Sequence, residues 1–146
     1  MMNQLQRDQH INFLREKVFQ VDTKWPHYAR LLDDLKNLSE TLPDDAHVVI
    51  LERAYIYNGL SLFAPIFPNH RVTVVDCHIA STAERAGYQE SWLDDSRCIR
   101  RKADIESSIT ETGLPDACAD LLINPNVIHH VSDQRAMFQE MRRLLK

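Results

Sequence analysis

His47-Val48-Val49-Ile50-Leu51-Glu52, set off by the polar turn Pro43-Asp44-Asp45, reads as a short buried strand rich in β-branched residues. Arg71-Val72-Thr73-Val74-Val75-Asp76 repeats the pattern, an apolar run that closes on an acid. Upstream, Ile11, Leu14, Val18 and Val21 recur at helical spacing over residues 5 to 20. Tyr28, Leu31, Leu32, Leu35, Leu38 and Leu42 do so again between Pro26 and Pro43. Downstream, Ser61 to Phe67 suits a short packed helix interrupted or ended by Pro65, and Ile79 to Gln89 a longer one with Gly87 near its end. Cys98-Ile99-Arg100-Arg101-Lys102 fits a weaker third strand and Ala119 to Asn124 a fourth, and Ser132 or Asp133 can cap a last helix carrying Met137, Phe138, Met141, Leu144 and Leu145. Strands alternating with helices predict an α/β class: a Rossmann-like parallel sheet of about four strands with flanking helices, preceded by two N-terminal helices. One domain over 1–146 is expected, with a helical segment at 1–43 and the α/β core at 44–146.

Composition narrows the function. Of 146 residues, 17 are Lys or Arg and 21 Asp or Glu, so the net charge is −4 and there is no basic surface broad enough for a nucleic-acid backbone or an anionic membrane. Neither nucleic acid nor membrane is an expected partner. The N-terminal stretch mixes charges into its apolar residues and so reads as neither signal peptide nor anchor. Three cysteines, Cys77, Cys98 and Cys118, lack paired spacing and fit reduced thiols in a cytoplasmic protein. Glycine is scarce, with only Gly59, Gly87 and Gly113, so a phosphate- or cofactor-cradling loop must be built around Gly59.

In an open parallel sheet, ligands bind outside the carboxyl ends of the strands. Three acids stand there: Glu52 closes the first strand, Asp76 the second, and Asp104 follows the third. An acid in the place of Asp76 suits a ribose diol, whose two hydroxyls it can accept. The plainer reading is that Asp ends strands as a turn former.

The order of these segments resembles class I S-adenosylmethionine-dependent methyltransferases over nearly the whole chain after residue 43. Val49-Ile50-Leu51-Glu52 is similar to the family's first-strand motif, and Leu60-Ser61-Leu62 to the segment just after its glycine loop. Val72-Thr73-Val74-Val75-Asp76 looks like the second-strand motif with its ribose-binding acid, and Lys102-Ala103-Asp104 like the adenine-contacting segment. Leu114-Pro115-Asp116 through Ala119-Asp120-Leu121-Leu122-Ile123 is similar to the approach to the fourth strand. Asn126 to Val131, with His129-His130, and Phe138 to Lys146 resemble the next loop and helix. The resemblance implies S-adenosylmethionine as cofactor and a small-molecule methyl acceptor. It places Glu52, Ala54, Asn58, Gly59, Asp76, Asp104 and Asn124 on the cofactor side, and His129 and His130 beside the acceptor as candidate catalytic residues.

Two departures qualify that. Where the family has three glycines this chain has Ala54, Ile56 and Asn58, and Tyr55, Ile56 and Tyr57 would crowd the cofactor unless the loop takes another path; Asn58-Gly59 can still turn. The sequence also stops at Leu144-Leu145-Lys146, where the family continues into further strands. That predicts an incomplete acceptor wall and an exposed fourth-strand edge, inviting a homo-oligomer or a partner protein.

The remaining motifs carry less. Asn124-Pro125 matches the start of the Asn-Pro-Pro-aromatic motif of amino-methylating enzymes, but Asn126 and Val127 do not continue it. Cys77-His78 and His129-His130 have no metal-ligand spacing, and no metal is expected. Arg100-Arg101-Lys102 reads as a solvated strand edge. Two functions compete: methyl transfer from S-adenosylmethionine, and a non-catalytic methyltransferase-like subunit that acts through protein–protein contact.

Overall fold

β1 (His47–Glu52) is buried at every position and lies between two parallel neighbours, β2 (Arg71–Asp76) and β4 (Leu121–Ile123). With β3 (Ile105–Glu106) outside β2, the strand order is β3-β2-β1-β4, all parallel. This computed structural model describes residues 3–53, 59–77, 91–125, 127 and 131–146. The helix expected from Ile79 to Gln89 lies outside them.

Alternation along the strands sorts the core onto two faces. Val48, Ile50, Val74 and Ile123 pack under α1 (Gln4–Phe13), the turn that follows it and α2 (His27–Thr41), through Phe13, Leu14, Leu32 and Leu35. Val49, Leu51 and Val75 face the other way, onto Ile109, Val127 and Met137 of α3 (Gln134–Leu144). The N-terminal helices thus cover the first face, alongside a connection between β1 and β2 whose described residues include the 3₁₀ turn Ala64–Ile66. Pro65 stands in that turn, whose first residues need no backbone donor, so the short helix expected from Ser61 to Phe67 contracts to three residues.

Three other boundaries depart from expectation. The first helix changes to a π-type turn at Leu14–Val18, where the Phe19 amide donates to Leu14 O at 2.8 Å. Cys98–Lys102 does not form the third strand. Instead Ser61 N–H donates to Arg101 O (2.6 Å) and Ala103 N–H to Gly59 O (3.0 Å), so Lys102 forms an antiparallel bridge with Leu60. The parallel ladder starts only after Asp104, whose carboxylate accepts from Val74 N–H (2.8 Å) while its own amide donates to Val74 O (2.9 Å). The fourth strand is shorter than Ala119–Asn124, because Ala119 bridges Leu145 instead. Asp133 caps α3, accepting from Ala136 N–H at 3.0 Å. Among the described residues no helix is long and apolar enough to cross a membrane.

Candidate functional site

The parallel register brings three acids abreast at the carboxyl end of the sheet: Glu52 pairs with Asp76, and Asp76 with Glu106. The chain leaves β1 outward to β2 and β3, then returns to the other side of β1 as β4. Such a reversal opens a crevice at the carboxyl ends of the strands.

An open cleft of about 290 Å³ lies here, lined by Gly59, Asp76, Lys102, Ala103, Asp104, Ile105 and Glu106. Asp76, 1% exposed, forms its floor; Lys102, Asp104 and Glu106 are exposed and form its rim. Gly59 has φ +79°, a left-handed conformation that disfavours a side chain, and among the described residues no atom beyond its chain neighbours lies within 4 Å of where its Cβ would stand. A ligand can therefore approach the backbone closely at that point.

Glu52 is differently placed. It is buried, and its carboxylate accepts from the Ser61 hydroxyl and from Leu62 N–H (2.9 Å). Ser61 Oγ in turn accepts from Ala64 N–H (3.0 Å), so one acid fastens the start of the β1–β2 connection. Burial pushes the Glu52 carboxyl up to about 7, against the pull of those hydrogen bonds. Burial, with the nearby Asp76 and Glu52 charges, likewise holds the Cys77 thiol well above its ordinary range, which leaves it a poor nucleophile.

Asp104 also reaches the cleft wall, but its carboxylate is engaged by Arg101 (2.9 and 3.1 Å) and Val74 N–H. Partial burial works against ionisation there, and the hydrogen bonds from Arg101 and Val74 prevail, holding the carboxyl below its ordinary range. Asn124 follows β4. Among the described residues its amide nitrogen meets only the sulfurs of Met141 (3.5 Å) and Met137 (3.9 Å), and its buried Oδ1 has no hydrogen-bond partner. Such an acceptor is costly to leave unmet.

Of the nine residues expected at the site, Gly59, Asp76 and Asp104 share one cleft, Glu52 lies behind it, and Asn124 stands past β4 on the other side of β1. Ala54, Asn58, His129 and His130 lie outside the described residues. Sequence reasoning missed Glu106, and it read Lys102 both as part of the segment that resembles the adenine-contacting one and as a solvated strand edge. Placing the third strand at Cys98–Lys102, when β3 runs Ile105–Glu106, moved its closing acid from Glu106 to Asp104.

A family model described as a methyltransferase domain matches residues 59–146. The match spans more than half of the chain and includes Asp76 and the whole described cleft lining. The chain belongs to the class I S-adenosylmethionine-dependent methyltransferase family. No curated protein matches it.

Proposed function

We propose that this protein binds S-adenosylmethionine across the carboxyl ends of β1 to β4 and methylates a small-molecule acceptor. The observation that carries the reading is Asp76: a buried acid ending β2, in register with Glu52 and Glu106, on the floor of an open cleft. The residues present fit the cofactor in two further respects, the open space at Gly59 and the unmet Asn124 Oδ1.

When bound, the cofactor supplies a methyl group on a sulfonium sulfur, open to displacement by a nucleophile. Asp76 accepts the two ribose hydroxyls. Glu52 acts indirectly, fixing Ser61 and Leu62 and through them the turn at Gly59. Asn124 Oδ1 accepts from a donor on the cofactor or the acceptor. His129 or His130 orients the acceptor and takes its proton. Methyl transfer demands chiefly proximity and in-line orientation, so few catalytic groups are needed.

One observation favours a second reading, the non-catalytic subunit: Glu52 and Asp104 already spend their carboxylates on the protein itself. In that reading the outer edge of β4 serves as a docking strand for a second copy or a partner. Among the described residues β4 pairs with β1, and its lead-in at Ala119 with Leu145.

Calorimetric titration of the intact chain with S-adenosylmethionine and S-adenosylhomocysteine, with thermal-shift measurements in parallel, decides between them. Micromolar binding supports the enzyme and justifies an acceptor screen. A folded chain silent in both assays removes the autonomous enzyme and leaves the subunit.

A further inference from the structure

The backbone segments 59–62 and 99–103 run antiparallel, and the end of the pair that carries Gly59, Lys102 and Ala103 lines the cleft. Among the described residues two direct backbone bonds join them, Ser61 N–H to Arg101 O (2.6 Å) and Ala103 N–H to Gly59 O (3.0 Å), on either side of the Leu60–Lys102 bridge. Further from the cleft, the Leu62 carbonyl and the Ile99 amide turn to one side chain instead. His10 of α1, fully buried, donates from Nε2 to Leu62 O (2.8 Å) and accepts at Nδ1 from Ile99 N–H (3.4 Å). These partners lie 52 and 89 residues away from it in sequence.

A neutral imidazole has one donor and one acceptor nitrogen, which suits a carbonyl on one side and an amide on the other. The neighbours of His10 hold the same two segments. Its ring lies 5.7 Å from that of Phe13, which in turn meets Trp92 edge-on at 5.8 Å. Glu16, in the turn after α1, pairs with Arg97 at 2.8 Å. On the opposite segment, Leu62 N–H is held by the Glu52 carboxylate (2.9 Å). The N-terminal helix thus grips the lead-in to the cleft wall, and His10 ties that lead-in to the connection after β1.

We propose that His10 is a positioning residue for the cleft, its imidazole setting the spacing of Leu62 and Ile99 and, through the Leu60–Lys102 bridge, the shape of the wall that receives the cofactor. The inference rests on the cofactor reading above. It makes α1, which precedes the matched methyltransferase domain, a working part of the site. A wall ordered before the ligand arrives need not be ordered by binding, so loss of both hydrogen bonds is expected to weaken binding about tenfold.

The test is calorimetric titration of the intact protein with S-adenosylhomocysteine, comparing wild type with His10→Phe, His10→Gln and Ile11→Val. His10→Phe fills the space and loses both hydrogen bonds, whereas His10→Gln keeps a donor for Leu62 O. Ile11→Val trims the buried core on the same helix and leaves the imidazole in place. His10→Phe should bind about tenfold more weakly than wild type and His10→Gln should fall between them. Ile11→Val should bind as wild type does, whatever stability it loses in urea. In the free proteins, hydrogen exchange at the Ser61 and Ala103 amides should quicken in both His10 variants by more than the change in global stability explains. Equal affinities for wild type and His10→Phe overturn the proposal and leave the cofactor reading standing. So does affinity that falls in step with stability across the three variants, or a His10→Gln variant that binds no better than His10→Phe. Should His10→Phe not fold, wild-type affinity in His10→Gln overturns the proposal equally. Failure of wild type to bind S-adenosylhomocysteine overturns the cofactor reading and this inference with it.

Discussion

Glu52 and Asp76 are direct partners in the register of β1 and β2, yet they face different surroundings: Asp76 borders the open cleft, while the Glu52 carboxylate is closed over by Ser61 and Leu62. Of these neighbouring acids, one borders the cleft and the other fastens the start of the β1–β2 connection.

Asp76→Ala removes the carboxylate proposed to accept the ribose hydroxyls. S-adenosylhomocysteine affinity should fall by about 1.5–3 kcal/mol, tenfold or more. Calorimetry reads the loss, and a denaturant melt establishes that the variant folds. Unchanged affinity would remove Asp76 from the site.

Glu52 makes stability depend on pH. Its carboxyl is raised from 4.5 to about 7, so the fold favours the protonated form. That contribution is fully present below pH 4.5 and is lost as pH rises through 7, by at most about 3 kcal/mol. Glu52→Gln should flatten this fall between pH 5 and pH 8 in urea melts while keeping an acceptor for Leu62 N–H. A variant with the wild-type slope would show that Glu52 ionises freely in the folded protein.

His10 works in the opposite direction. Its Nδ1 accepts from Ile99 N–H (3.4 Å), so Nε2 carries the proton and donates to Leu62 O (2.8 Å). Burial outweighs the backbone hydrogen bonds and lowers the imidazole below its ordinary 6.5. The neutral ring is therefore the folded form, and its contribution, present above pH 6.5, is lost as pH falls through the folded value. Nitrogen NMR should find the Nε2–H tautomer at pH 7.5, and the urea midpoint should fall on going to pH 5.5, less so in His10→Gln.

Gly59→Ala tests the turn. Space for the methyl group exists, so the cost is backbone strain alone, about 1–2 kcal/mol for a left-handed residue. Gly59→Asn should cost less, since Asn tolerates that conformation. Equal stability of the three proteins in denaturant would mean that the turn relaxes at no cost.

Much of the fold was legible in the sequence. The run from Arg71 to Asp76 is a strand over the very residues that its apolar pattern marks, and Pro26 and Pro43 bracket α2 as expected. The third strand was misplaced because Cys98–Lys102 has the right composition but finds another partner. The segment Gly59–Ser61, far away in sequence, takes its backbone groups. The same error hid Glu106, whose place beside Asp76 is set only by the true register.

Apolar periodicity and strand-closing acids determined the class, the parallel sheet and the acids that stand at its carboxyl end, because these depend on which side chains must leave water. That Glu52 and Asp104 spend their carboxylates within the protein was decided by tertiary structure alone. A carboxylate is free or spent according to the donors that the fold brings to it, and Ser61, Leu62, Arg101 and Val74 reach Glu52 and Asp104 only once the chain has closed on itself.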